Sequence, residues 1–155
     1  MNAITPEEFH GLLPLACEWA EAQERLIIDK GIVLTTSQIE DAKYVGVTHP
    51  KNVRLLQVPQ IPMPDHPELL AAAQVTQLIS PQTTGLTLRY GIFIRSDFWG
   101  DRRLIVHELV HTSQYERLGG FLPFLQKYLM ECIKIGYPDI PMEHEADSIA
   151  DKICT

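Results

Sequence analysis

Near the start of the chain, Phe9, Leu12, Leu13, Ala16, Trp19 and Ala20 recur with helical spacing. The pattern predicts a long amphipathic helix over residues 6–30. Thr5 is its N-cap, Pro6 its first helical residue, Glu8 the partner in a capping box, and Gly31 its stop. Pro14 is expected to kink or split it. A second, short helix runs from Thr36 to about Tyr44, and residues 53–58 read as a strand bounded by Pro50 and Pro59. The proline-dense residues 59–67 form an extended linker within one domain. A helix over residues 68–79 follows, stopped by Ser80-Pro81.

The period then changes. From 86 to 94 the chain alternates, with Leu86, Leu88, Tyr90, Ile92 and Ile94 on one face and Thr87, Arg89, Gly91 and Phe93 on the other, which predicts a single strand with one buried side. The run from Leu104 through Tyr115 returns to a helix, capped by Asp97 or Asp101 and stopped by Gly119-Gly120. An amphipathic helix from Phe121 to about Ile135 comes next. Gly136-Tyr137-Pro138 turns the chain into a last helix, for which Asp139 is the expected N-cap and Pro141 lies in the first turn. These elements make a mostly helical α+β chain with few strands.

At 155 residues the chain is read as one domain, 1–155, long enough to bury a core without disulfides. Cys17, Cys132 and Cys154 are widely spaced, odd in number and form no C-x-x-C pair, so neither a disulfide framework nor a cysteine zinc site is indicated. The net charge of -7 argues against nucleic acid or an anionic membrane as partner. Residues 1–8 lack the basic and apolar regions of a secretory signal, and no apolar run is long enough to span a bilayer, so a cytoplasmic protein is expected.

The predicted helix at 104–115 carries the chemistry, in His107-Glu108-Leu109-Val110-His111. Residues four apart stand one above the other, so both imidazoles project from one face about 6 Å apart along the axis. That suits two ligands of one tetrahedral ion with bonds of about 2.1 Å. Glu108 can lean over the same site as general base toward a water activated there. A third protein ligand is expected downstream, in Glu143-His144-Glu145-Ala146-Asp147. Glu143, His144 and Glu145 all compete for that role. Only Glu143 has an acidic residue four positions on, Asp147, able to accept a hydrogen bond from the free ring N–H of a ligand histidine. His66 is a further, isolated candidate for metal or acid–base duty.

H-E-x-x-H followed by a helix bearing E-x-x-A-D resembles the gluzincin zinc metallopeptidases, the group that includes thermolysin and the membrane-bound prenyl-protein endopeptidases. The resemblance covers about the last third of the chain. It implies a zincin-like fold with a small sheet beside the active helix, and one Zn2+ held by His107, His111 and Glu143. Glu108 would be the general base, Asp147 would orient a ligand histidine, and a peptide or protein would be the substrate. Gln114 and Arg117 stand where the metzincin pattern requires glycine and histidine, which excludes that branch. In zincins an edge strand binds extended peptide, and the strand at 86–94 is the counterpart expected here. Tyr115 and Tyr137 are candidates to stabilise an oxyanion. The alternative is a catalytically silent zinc-binding assembly module. An intact Glu108 argues against it, because a structural site needs no general base.

Overall fold

The computed structural model describes residues 4–154, so Met1 to Ala3, part of the N-terminal stretch read above, lie outside it. Helix α1 (Pro6–Lys30) opens on the expected capping box between Thr5 and Glu8 and buries one stripe of Phe9, Leu13, Ala16, Ala20, Glu24 and Ile27. Pro14 does not split it. Pro14 and His10 are both on the exposed side, where water can replace the hydrogen bond that proline cannot give. Gly31 then lets the chain pass close to the sheet: a Cβ there would lie 2.6 Å from the Ile27 carbonyl oxygen and 2.9 Å from that of Leu55.

Strand β1 (Ile32–Val33), helix α2 (Thr36–Tyr44) and strand β2 (Arg54–Val58) follow. The two-residue β1 is too short to leave a periodic signal. Helix α3 (Pro67–Thr76) is capped by His66, whose Nδ1 accepts from the backbone N–H of Glu68 at 3.3 Å, so this histidine serves the helix start. The helix ends before the expected Ile79. Gln77 turns left-handed at φ 58°, and the segment beyond it still buries Ile79.

The predicted strand at 86–94 is a hairpin of two strands, β3 (Gly85–Leu88) and β4 (Gly91–Arg95), paired antiparallel with Leu86 opposite Phe93 and Leu88 opposite Gly91. A two-residue turn interrupts the alternation without any apolar residue dropping out, so the sequence pattern runs straight through it. The turn also reverses the assignment of faces. Leu88 and Phe93 pack with α1, whereas Ile92 and Ile94 join Leu55 on the opposite side. Arg89 takes φ +60°, a conformation ordinarily given to glycine or asparagine in such turns, so the usual turn signal is missing.

Glu24, buried on α1, compensates. Its carboxylate accepts from Arg89 Nε at 2.8 Å, from Arg89 Nη2 at 2.7 Å and from the Tyr90 N–H at 3.1 Å. The Arg89 carbonyl accepts from Thr112 at 2.7 Å, and Tyr90 OH donates to Glu116 at 2.8 Å. Arg89 also lies 4.7 Å over the Phe121 ring, a cation–π contact.

The sheet order is β1-β2-β4-β3, with β2 and β4 parallel and the outer pairs antiparallel, which leaves β3 at an edge. One face packs Leu55, Ile92 and Ile94 against Ile105 and Leu109 of helix α4 (Arg102–Leu118). Each such buried aliphatic contributes about 1.5–3 kcal/mol. The other core joins Phe9, Leu13 and Ile27 of α1 to Phe124 and Leu125 of helix α5 (Phe121–Lys134). Helix α6 (Pro141–Ile153) packs along α4. Its N-cap is Ile140 rather than the expected Asp139, and no side chain caps it. The fold is thus α+β and mostly helical, and no helix among the described residues is long and apolar enough to cross a membrane.

Candidate metal centre

Helix α4 is positioned at its start by Asp101, which accepts from the Leu104 N–H at 2.9 Å, and at its end by Gly119 at φ +104°. Asp97, the other expected cap, lies in the preceding turn and pairs with Arg95 at 2.7 Å. With Ile105 and Leu109 turned to the sheet, the helix presents His107 and His111 toward α6. Their ring centroids are 4.9 Å apart. Glu143, in the first turn of α6, reaches both: Oε1 is 2.9 Å from His107 Nε2, and Oε2 is 3.0 Å from His111 Nε2. One ligand atom from each of the three residues lies within 4.8 Å of the others.

The other ring nitrogens are tied outward. His107 Nδ1 stands 2.9 Å from Asp147 Oδ1, and His111 Nδ1 stands 2.7 Å from Gln114 Oε1. A carboxylate can only accept, so His107 donates from Nδ1. The Gln114 amide is oriented by its own donors, which reach the Met142 carbonyl at 3.0 Å and Glu145 at 2.7 Å. Its oxygen must therefore face His111 and accept as well. Both imidazoles thus direct Nε2 at the cluster, and once the proton there is lost each has the tautomer a metal ligand needs. Two donors about 2.1 Å from one tetrahedral ion stand about 3.4 Å apart, between the 2.9 and 3.0 Å of the two histidine–carboxylate pairs and the 4.8 Å that bounds the set. The donor set fits a divalent metal ion.

Without a bound ion, Nε2 of each imidazole faces the Glu143 carboxylate, and the charges favour a proton there in the metal's place. Burial alone would lower the pKa of His111, but the hydrogen bond and charge of Glu143, with Glu108 beside it, raise it to about 9. His107 is also raised: burial opposes the change, and Glu143 and Glu108 outweigh it. Burial would raise the Glu143 carboxyl, yet its bonds to the two histidines hold it far below the ordinary carboxylate range. Tyr128 of α5 adds a short hydrogen bond to Glu143 Oε2, and burial followed by the charge of Glu143 keeps that phenol protonated. Asp147 is backed by Arg103 at 3.7 Å, which also pairs with Asp151 at 2.7 Å.

Glu108 is buried beside the cluster, with Oε2 3.9 Å from His107 Nε2. His107, Glu108, His111 and Glu143 all border a cavity of about 140 Å³ whose remaining wall is mainly apolar. It extends between α1, α3, α5 and the edge strand β3. Of the competing third ligands, His144 is exposed and near Asp139 at 3.8 Å, and Glu145 pairs with Arg117 and Gln114 at 2.7 Å each. Neither joins the cluster. Tyr115 is a packing residue, stacked 3.5 Å from Phe124 with its hydroxyl donating to the Thr87 carbonyl at 3.3 Å. Tyr137 borders the cavity, where burial and then the charges of Glu143 and Glu108 raise its pKa.

Three contributors escape the sequence reading. Gln114 follows His111 by three residues, a helical spacing that could have paired them. Thr87 and Tyr128 come from other elements and carry no local signal. No family model, no curated protein and no solved structure matches the chain.

Proposed function

We propose that the chain is a zinc-dependent peptidase of gluzincin type. The observation that carries this reading is the convergence of His107, His111 and Glu143 on one point, with Glu108 next to that point at the wall of a cavity. Both imidazoles present Nε2, and the third donor is a carboxylate, a set that suits zinc. Zinc held there would supply Lewis acidity, lowering the pKa of a water to about 7 and polarising a carbonyl oxygen. The chain's own groups do the rest.

Glu108 accepts the proton of the attacking water and returns it to the leaving amine. Asp147 and Gln114 hold the two imidazoles in the ligating tautomer. Strand β3, at the sheet edge and beside α4, offers backbone donors and acceptors to an extended peptide. The apolar cavity receives a side chain flanking the scissile bond. Its volume of about 140 Å³ is close to that of a protein cavity that takes up benzene, so aromatic or branched aliphatic residues are favoured there.

The test is a peptide library cut by the zinc-loaded chain and analysed by mass spectrometry, beside Glu108→Gln. Cleavage next to apolar residues, abolished in a variant that still holds zinc, is the expected result. A Glu108→Gln variant with full activity contradicts the reading.

A further inference from the structure

Glu108 is held from the sheet side as well as from its own helix. Thr87 on β3 donates from Oγ1 to Glu108 Oε1 at 2.7 Å, and the same hydroxyl lies 3.0 Å from the Glu108 backbone carbonyl oxygen. Both side chains are buried, so water does not compete for this bond. The two carboxylate oxygens therefore differ. Oε1 is taken by the hydroxyl, while Oε2 is the one near the cluster, 3.9 Å from His107 Nε2.

Gly85 belongs to the same arrangement. It lies two residues before Thr87 and so on the same face of the strand. A Cβ at this position would stand 3.2 Å from Cγ, Cδ and Oε2 of Glu108. That is closer than ordinary van der Waals contact, so even a methyl group would press on Oε2. Gly85 is absent from the positive-φ glycines, so the requirement is for space and not for an unusual backbone conformation.

We infer that Thr87 and Gly85 form a seat on β3 that selects Oε2 of Glu108 as the proton-accepting oxygen. Thr87 is the positioning residue that occupies Oε1, and Gly85 leaves Oε2 its room. The inference rests on the peptidase reading of this site. It joins two functions in one element: the strand that would align a substrate backbone also sets the base that acts on it.

The test uses zinc-loaded protein and acetohydroxamate, a metal-binding probe whose acidic proton needs an acceptor beside the ion. Thr87→Val keeps the shape and removes the hydroxyl, Thr87→Ser restores it, and Gly85→Ala crowds Oε2 with the hydroxyl in place. Zinc stoichiometry by elemental mass spectrometry and cooperative thermal unfolding are followed alongside.

Expected are unchanged zinc content, near wild-type affinity in the Ser variant, and acetohydroxamate binding weakened about tenfold or more in the Val and Ala variants, the loss of one hydrogen bond to a charged group. On any peptide substrate, kcat should fall with KM nearly constant. Wild-type affinity in the Val variant with zinc retained overturns the seat. Should Thr87→Val fail to fold, Gly85→Ala decides alone, and wild-type affinity there overturns it equally. A wild-type chain that takes up no zinc overturns the peptidase reading and the inference with it, an outcome distinct from zinc uptake with indifferent variants.

Discussion

Replacing Glu24 by alanine should cost about 3 kcal/mol of folding stability, although the residue lies far in sequence from every candidate ligand. Its carboxylate is buried and accepts three hydrogen bonds, two from the Arg89 guanidinium and one from the Tyr90 N–H. Bonds to charged groups are worth about 1.5–3 kcal/mol each. The Arg89 side chain is 39% exposed, so water screens its part, and about 1 kcal/mol per guanidinium bond is the better figure. The backbone bond contributes about another 1 kcal/mol.

The loss falls on a turn that is already costly, because Arg89 sits at φ +60°, a conformation worth about 1–2 kcal/mol against a non-glycine residue. Arg89→Gly removes that strain but leaves the buried Glu24 carboxylate with only the Tyr90 N–H, so it should destabilise at least as much as Glu24→Ala despite the relieved backbone. Urea unfolding followed by the fluorescence of Trp19 and Trp99 measures both, and hydrogen exchange locates the change. Amides of β3 and β4 should lose protection before those at the centre of α4. A Glu24→Ala variant within about 0.5 kcal/mol of wild type, the ordinary range for a surface change, would refute the clamp.

Four further outcomes are expected. Without metal, the raised His111 pKa stabilises the fold fully below its ordinary value of 6.5, and this is lost as pH rises through about 9. The depressed Glu143 pKa stabilises the fold above its ordinary 4.5 and is lost as pH falls. Calorimetry in chelator should therefore find the highest Tm between these two ordinary values and a drop of about 5 °C by pH 9, corresponding to about 2 kcal/mol. Added zinc, which requires neutral imidazoles, should raise Tm more at pH 8 than at pH 6. Gln114→Leu removes the acceptor at His111 Nδ1 and should weaken zinc affinity about 10- to 100-fold in a competition assay with a coloured chelator. Tyr128→Phe should unfold more easily, by about 1–3 kcal/mol, because Glu143 Oε2 loses a buried donor; denaturation of the metal-free protein measures it.

The helices α1, α2 and α4 were legible because capping residues and helical spacing agree in each, as at Thr5, Asp101 and Gly119, and α5, which no side chain caps, was legible from its spacing alone. The His107 and His111 pair was legible for the same reason, since one helix fixes their relation. The hairpin was not. Its turn residues Arg89 and Tyr90 resemble strand residues, and what bends the chain there is Glu24, 65 positions away in sequence. The start of α6 was misplaced because Asp139 looks like a cap, whereas Pro141 starts the helix without side-chain help. Glu143 could be preferred over His144 and Glu145 only through its spacing to Asp147. Thr87 and Tyr128 depend on how β3 and α5 pack against α4, which no local pattern encodes.

The most direct test of the central claim is the zinc content of purified, dialysed protein by elemental mass spectrometry, run beside Glu143→Ala. About one zinc per chain in the wild type, lost or strongly weakened in the variant, is the predicted result for a single site of two histidines and one carboxylate. A wild type that stays metal-free after zinc is added, or a Glu143→Ala variant that binds zinc as tightly, would contradict it.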